Sequence, residues 1–224
     1  MKISVRDAIR YMGAGEGTPE IRDAAARIAK ELETRIQPRY TWRAFRLDRT
    51  GEGILLAEAG KQLTGKLACS MLADCHTAVL MACTLGAVFD SMLRAREARN
   101  MAEAVMLDAC GSAWAEAGCD AAEAEIAARF PGMYLTDRFS PGYGDLPLNS
   151  QAWILTALDA GRRLGITVNS SSLLIPAKSV TAVIGLADKP QGARIRGCGV
   201  CRIRENCVYR ERGTTCGIET AGTA

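Results

Sequence analysis

The chain has 224 residues, of which 48% are hydrophobic, 24% charged and 5% aromatic. This is ordinary globular composition, and it excludes global disorder, a collagen-like chain and a coiled-coil rod. The net charge of +3 is unevenly spread: residues 189–212 hold seven cations against two acids, which leaves the rest of the chain mildly acidic and marks the C-terminus as a separate element. The length fits one main domain with an appendage, which we set at 1–187 and 188–224.

The opening residues, MKISVRDAIRYMG, contain no uninterrupted apolar core of a secretory signal, and no stretch is apolar enough to span a membrane. A cytoplasmic protein is expected. Nine cysteines in such a chain point to reduced thiols or metal ligands, not to a disulfide framework. With His76 the only histidine, chemistry built on several histidines is excluded.

Thr18-Pro19-Glu20 is a helix start, with a hydroxyl cap, proline at the first helical position and an acid in the first turn. Ile21, Ala25, Ile28 and Leu32 continue it at helical spacing up to Pro38. Tyr40 to Phe45 alternate as a strand; Gly51-Glu52-Gly53 is a turn, and Ile54 to Leu56 a short strand. Residues 60–73 are expected to be helical. Thr77 to Thr84 is a continuous apolar run bounded by a glycine, which fits a buried strand, although its length also allows a helix.

Ala87 to Ala98 and Met101 to Phe130 are helical in composition, and the alanines of the second allow close approach of a neighbour. Asp137 to Pro147 is a loop. A helix capped by Asp145 and opened by Pro147 is expected to run to about Arg163, with Gly165 behind it. Strands follow at Ile166 to Val168 and Ser179 to Leu186. Helices and strands mix without a βαβ rhythm. The expected fold is α+β: an antiparallel or mixed sheet flanked by helices, with a small cysteine-rich C-terminal element.

The loop from Arg138 to Pro147, RFSPGYGDLP, combines a cation, two glycines and an aromatic. Arginine can pair a carboxylate with two parallel hydrogen bonds, and glycine lets a backbone approach a ligand closely. Such a set suits an amino-acid-bearing or adenosyl-bearing molecule. From residue types alone it fits better a tight connector whose Arg138 pairs a nearby aspartate, since most loops only connect.

Arg138-x-x-x-Gly142-Tyr143 with Pro147 behind it resembles the S-adenosylmethionine-binding signature of the activation domain of cobalamin-dependent methionine synthase. LMACTLG at 80–86, DACGSAWAE at 108–116, GITVN at 165–169 and PAKSV at 176–180 resemble other stretches of that family in the same order. The resemblance covers about residues 60–187. It implies a domain that binds S-adenosylmethionine while a corrinoid-carrying domain docks on it, so that inactive cob(II)alamin is reduced and remethylated. It gives Arg138 to the methionine carboxylate and lines the site with Gly142, Tyr143 and Ser179. It gives the ligand's ammonium to a helix acid, whose position falls at Ser112, with Glu116 one turn further on.

The chain holds no D-x-H-x-x-G sequence, so the resemblance implies cobalamin only through a partner: a separate corrinoid-binding protein or methyltransferase, with an electron donor, in methionine biosynthesis. The expected role is a reactivation component of a methionine synthase, within the methyltransferase class. The chemistry would belong to the cofactors, which is consistent with the lack of a triad.

Cys198, Cys201, Cys207 and Cys216 place four thiols in 19 residues, opened by a CxxC. Zinc and an iron–sulfur cluster both use four such ligands. Arginines interleaved with these cysteines also resemble a nucleic-acid-binding knuckle, but the mildly acidic remainder of the chain offers no second basic surface. The alternative function is a non-catalytic metal-binding adaptor docking on a corrinoid protein or a nucleic acid. Cys69, Cys75, Cys83, Cys110 and Cys119 sit in apolar or alanine-rich surroundings and are expected to be buried thiols. Trp114 and Trp153 are expected to pack.

Overall fold

A computed structural model describes residues 1–51, 53–192, 205–211 and 213. Ser4 caps α1 (Val5–Tyr11) by accepting from the Asp7 N–H. Thr18 accepts from the Ile21 N–H at the start of α2 (Pro19–Arg35), as its residues dictate. Then come β1 (Arg39–Thr50), β2 (Gly53–Leu56), a 3-10 turn (Ala57–Ala59), β3 (Lys61–Leu63), α3 (Lys66–Met71) and β4 (Cys75–Thr84). Next are α4 (Ala87–Glu97), α5 (Met101–Arg129), β5 (Tyr134–Leu135), α6 (Ser150–Ala157), α7 (Ala160–Leu164), β6 (Thr167–Val168), β7 (Leu174–Ile175) and β8 (Ser179–Ala187). A four-residue helical turn, α8 (Val208–Glu211), lies in the C-terminal element.

The architecture is α+β. Six strands form a sheet in the order β3-β2-β1-β4-β8-β5, and every described pairing is antiparallel. A two-stranded ribbon, β6–β7, stands apart. Central β4 lies between β1 and β8 and is buried on both faces, which is why it reads as an unbroken apolar run. Alternate residues serve two cores. Val79, Met81 and Cys83 pack with Cys119, Ala122 and Ile126 of α5. Ala78, Leu80 and Ala82 share a core with Ile154, Leu158 and Leu164 of the α6–α7 side. A third core joins Ile28, Leu32, Phe89, Leu107 and Trp114 among the helices.

Close approach to α5 depends on its glycines. A Cβ at Gly111 would lie 2.3 Å from the Phe89 ring, and one at Gly118 would lie 2.6 Å from Pro38 and 2.7 Å from the Cys83 sulfur.

Three expectations fail. Residues 60–73 are not one helix: Lys61–Leu63 pairs with β2, and Gly60 and Gly65, both at positive φ, separate that strand from its neighbours. The helix expected from Pro147 to Arg163 starts only at Ser150 and breaks at Asp159, whose φ is +52°. Cys69 is exposed, whereas Cys75, Cys83, Cys110 and Cys119 are buried. Burial pushes the Cys110 thiol up to about 11, and its hydrogen bond with Cys83, then burial, raises Cys119. The thiols of Cys110 and Cys119 are thereby held in the protonated form.

Candidate functional site

The arginine loop leaves the outer edge of the sheet. The Thr136 N–H donates to the Gly185 carbonyl and its Oγ1 accepts from the Gly185 N–H, and Phe139 bridges Val183. Neighbouring residues of extended chain point to opposite faces. Phe139 is fully buried in the α6–α7 core, so Arg138 is directed to the other face, where α5 lies.

Arg138 meets three carboxylates there. Its Nη1 donates to Asp120 at 2.7 Å and to Glu123 at 2.6 Å, and its Nη2 donates to Glu116 in a short contact. The arginine side chain is 4% exposed, while Glu116 and Asp120 are 40% and 66% exposed. Burial by itself would lower the arginine pKa, but the charges of Glu123 and Glu116 outweigh it and the pKa is raised. The guanidinium is permanently charged.

One turn toward the N-terminus, Lys178 Nζ lies 2.9 Å from Asp108 and donates to Ser112 Oγ at 2.8 Å. Asp108, Ser112, Glu116, Asp120 and Glu123 recur every three or four residues and form one ridge along α5. Tyr11 of α1 lies near its middle; burial first, and then the Glu116 charge, raise the phenol pKa.

The five residues assigned to ligand binding from the sequence come from three segments: α5, the arginine loop and β8. Arg138 and Glu116 are in direct contact. Gly142 and Tyr143 form the loop's tip: Gly142 has φ +92° and donates to the Leu146 carbonyl, and the Tyr143 ring is exposed. Ser179 opens β8, where its hydroxyl lies 2.7 Å from that of Thr84. Ser112, the position matching the acid of the resembled family, faces a lysine. Of the four tail cysteines, Cys207 is half-buried, whereas Cys198, Cys201 and Cys216 lie outside the described residues. Among the described residues no cluster of cysteine, histidine and acids could hold a metal.

Asp120, Glu123, Lys178 and Tyr11 were missed. The helical spacing of the acids was readable; the partners of Lys178 and Tyr11 come from remote elements and left no local signal.

Open hollows lie elsewhere among the described residues. One, of about 470 Å³, is lined by Arg43, Phe45, Glu58, Lys61 and Trp153 among others. The second, of about 450 Å³, is lined by residues that include Arg49, Lys66, Cys69 and Asp145. No helix among the described residues is long and apolar enough to cross a membrane.

No protein-family model matches the chain, and no curated protein matches it. Among solved structures it is similar to "Crystal Structure of the MetH Reactivation Domain bound to AdoHcy", with a TM-score of 0.60 and 17% identity, covering 96% of this chain and 86% of the other. The fold is that of a MetH reactivation domain.

Proposed function

We propose that this chain binds S-adenosylmethionine beside the α5 ridge and supports reductive methylation of a corrinoid carried by a partner protein, in the manner of methionine synthase reactivation. The observation that carries the reading is the fold likeness over 96% of the chain to a reactivation domain holding AdoHcy. Arg138 and Glu116, both given by the resemblance to the amino-acid end of one ligand, lie in contact; a plain connector would make the same pairing, and the variants below separate the two readings. In this reading Gly142 and Tyr143 line the ligand from the loop tip, and Ser179 lies at the start of β8.

The sulfonium supplies an electrophilic methyl group and the partner's reduced cobalt a nucleophile, with one electron from a donor. The protein's task is binding and orientation, which brings methyl and metal into line. In the same proposal the cysteines of the tail form a centre for zinc or an iron–sulfur cluster.

The test is calorimetric binding of S-adenosylmethionine to the intact protein, followed by methylcobalamin formation on a corrinoid protein given a reductant. Arg138→Ala should weaken binding by about 1.5–3 kcal/mol, the range for a hydrogen bond to a charged group. Tyr143→Ala should lose reactivation while remaining folded. If the parent binds no ligand with or without the corrinoid protein, the reading fails. If both variants reactivate as well as the parent, the loop is only a connector.

A further inference from the structure

We propose that the hollow of about 470 Å³ bordered by β1, β3 and α6 is a second binding site, which takes a planar aromatic ring carrying an anionic group. It lies on the sheet face opposite the α5 ridge, and it is independent of the S-adenosylmethionine reading above.

The pleat of the sheet decides which side chains meet there. Tyr40, Trp42 and Ala44 of β1 pack on the α5 side, so Arg43 and Phe45 point the other way. Across the sheet Leu47 pairs with Leu56, and Leu56 pairs with Lys61. Directly opposed residues share a face, which places Lys61 on the side of Phe45 and Leu47. Phe45 and Leu56 are buried in one core with Ile154, Leu155 and Leu158. The inward turn of those three leaves Trp153 and Thr156 on the flank of α6 that borders the hollow.

The lining combines rings with charge. The Arg43 guanidinium stands over the Phe45 ring, 5.0 Å from its centre, a cation–π distance. Trp153 is half-buried against the same core, and its indole N–H has no hydrogen-bond partner among the described residues. Arg43 and Lys61 are both exposed, and neither forms an ion pair with a described carboxylate. Glu58 is the acid of the lining. Its Oε2 accepts from the Arg46 N–H at 2.9 Å, and the Arg46 side chain is paired with Asp48. Two cations facing one acid leave the hollow with a surplus of positive charge, which disfavours a metal ion or a cationic ligand.

An aromatic anion answers both features. Its ring would cover the apolar surface of Trp153 and Phe45, and its acid group would meet Lys61 and the outer edge of Arg43. Burial of the ring supplies affinity and the charges supply orientation. The volume falls within the range of small-molecule sites, about 300–1,000 Å³.

The experiment is calorimetric titration of the full-length protein with 2-naphthoate and with 2-naphthyl phosphate, against 2-naphthamide and acetate. A naphthyl anion should bind, and the tighter of the two names the acid group as carboxylate or phosphate ester. The neutral amide and acetate should bind at least about tenfold more weakly. Lys61→Gln and Arg43→Gln should each weaken the naphthyl anion about twofold to tenfold, the range for a net hydrogen bond, and Lys61→Arg should retain it. Trp153→Leu should weaken it by up to about tenfold, through loss of the aromatic contact. Added S-adenosylmethionine should leave the titration unchanged, because the ridge and the hollow lie on opposite faces of the sheet. The site is overturned if neither anion binds, if the amide binds as well as the anions, or if Lys61→Gln and Arg43→Gln both bind like the parent. Displacement of the naphthyl anion by S-adenosylmethionine also overturns it, since the two would then share one site.

Discussion

Helix α5 has two long surfaces governed by different physics. Its underside carries Cys110, Gly111, Trp114, Ala115, Gly118, Cys119, Ala122 and Ile126, all buried. Its ridge carries Asp108, Ser112, Glu116, Asp120 and Glu123, drawn together by one arginine and one lysine from other elements. The underside is specified by shape, and even a methyl group has no room at two of its positions. The ridge is specified by charge, and its acids remain partly in water. Packing thus places the helix, and the ridge is left at the surface. If the two surfaces are independent, changes beneath should alter stability and leave the affinity of the folded protein alone.

The largest effect is expected at Trp114, which is fully buried and donates its indole N–H to the Ile36 carbonyl at 2.7 Å. Trp114→Ala should cost about 3–5 kcal/mol, from lost burial and the cavity left behind, and should also leave that carbonyl unpaired. Urea unfolding measures the loss. Ligand affinity of the remaining folded protein should match the parent, and a weakened affinity would show that the ridge depends on the core below it.

A smaller effect is expected at Gly118. Alanine gains about 1 kcal/mol over glycine in a helix, but its Cβ would strike Pro38 and the Cys83 sulfur, and overpacking costs about 1–3 kcal/mol. Gly118→Ala should therefore lose up to about 2 kcal/mol. A variant more stable than the parent would mean that α5 and β4 have room to separate, and that shape does not specify this surface.

The same division decides what was legible in the sequence. The underside and the central strands were readable because burial leaves a periodic record: the start of α2, the alternation of β1, the apolar run of β4 and the small residues of α5 all appear as expected. Residues 60–73 misled because Lys61–Leu63 owes its strand to pairing with β2, and a three-residue strand has no period of its own. On the ridge, Arg138 and Glu116 were legible through the resemblance. Lys178 was not, because a lysine ahead of a strand looks the same in sequence whether it meets water or Asp108. Cys69 was placed inside from its apolar neighbours, yet it lies on the outward side of short α3.

Asp145 belongs to the arginine loop, and it tests whether the loop's far end matters to the ridge. The sequence assigned it as the cap of a helix starting at Pro147; instead it reaches a different element. Its Oδ2 accepts from the Lys66 N–H at 2.6 Å and its Oδ1 from the Leu67 N–H at 3.0 Å, at the start of α3. Gly65 makes this possible, since a Cβ there would lie 2.7 Å from the carboxylate. The N–H groups of Leu67 and then Lys66 hold the Asp145 pKa below its ordinary value. A carboxyl whose pKa is depressed in the folded state stabilises above its unfolded pKa, about 3.9, and that contribution is lost as pH falls through the folded pKa. Asp145→Asn keeps one acceptor and loses the charge. Its melting temperature should therefore lie modestly below the parent's at pH 7, and the gap should close as the pH is lowered through and below 4. A gap that does not change with pH would show that charge contributes nothing to this cap. If the variant also binds S-adenosylmethionine like the parent, the ridge is held by Arg138 and the sheet edge alone, and the two ends of the loop act independently.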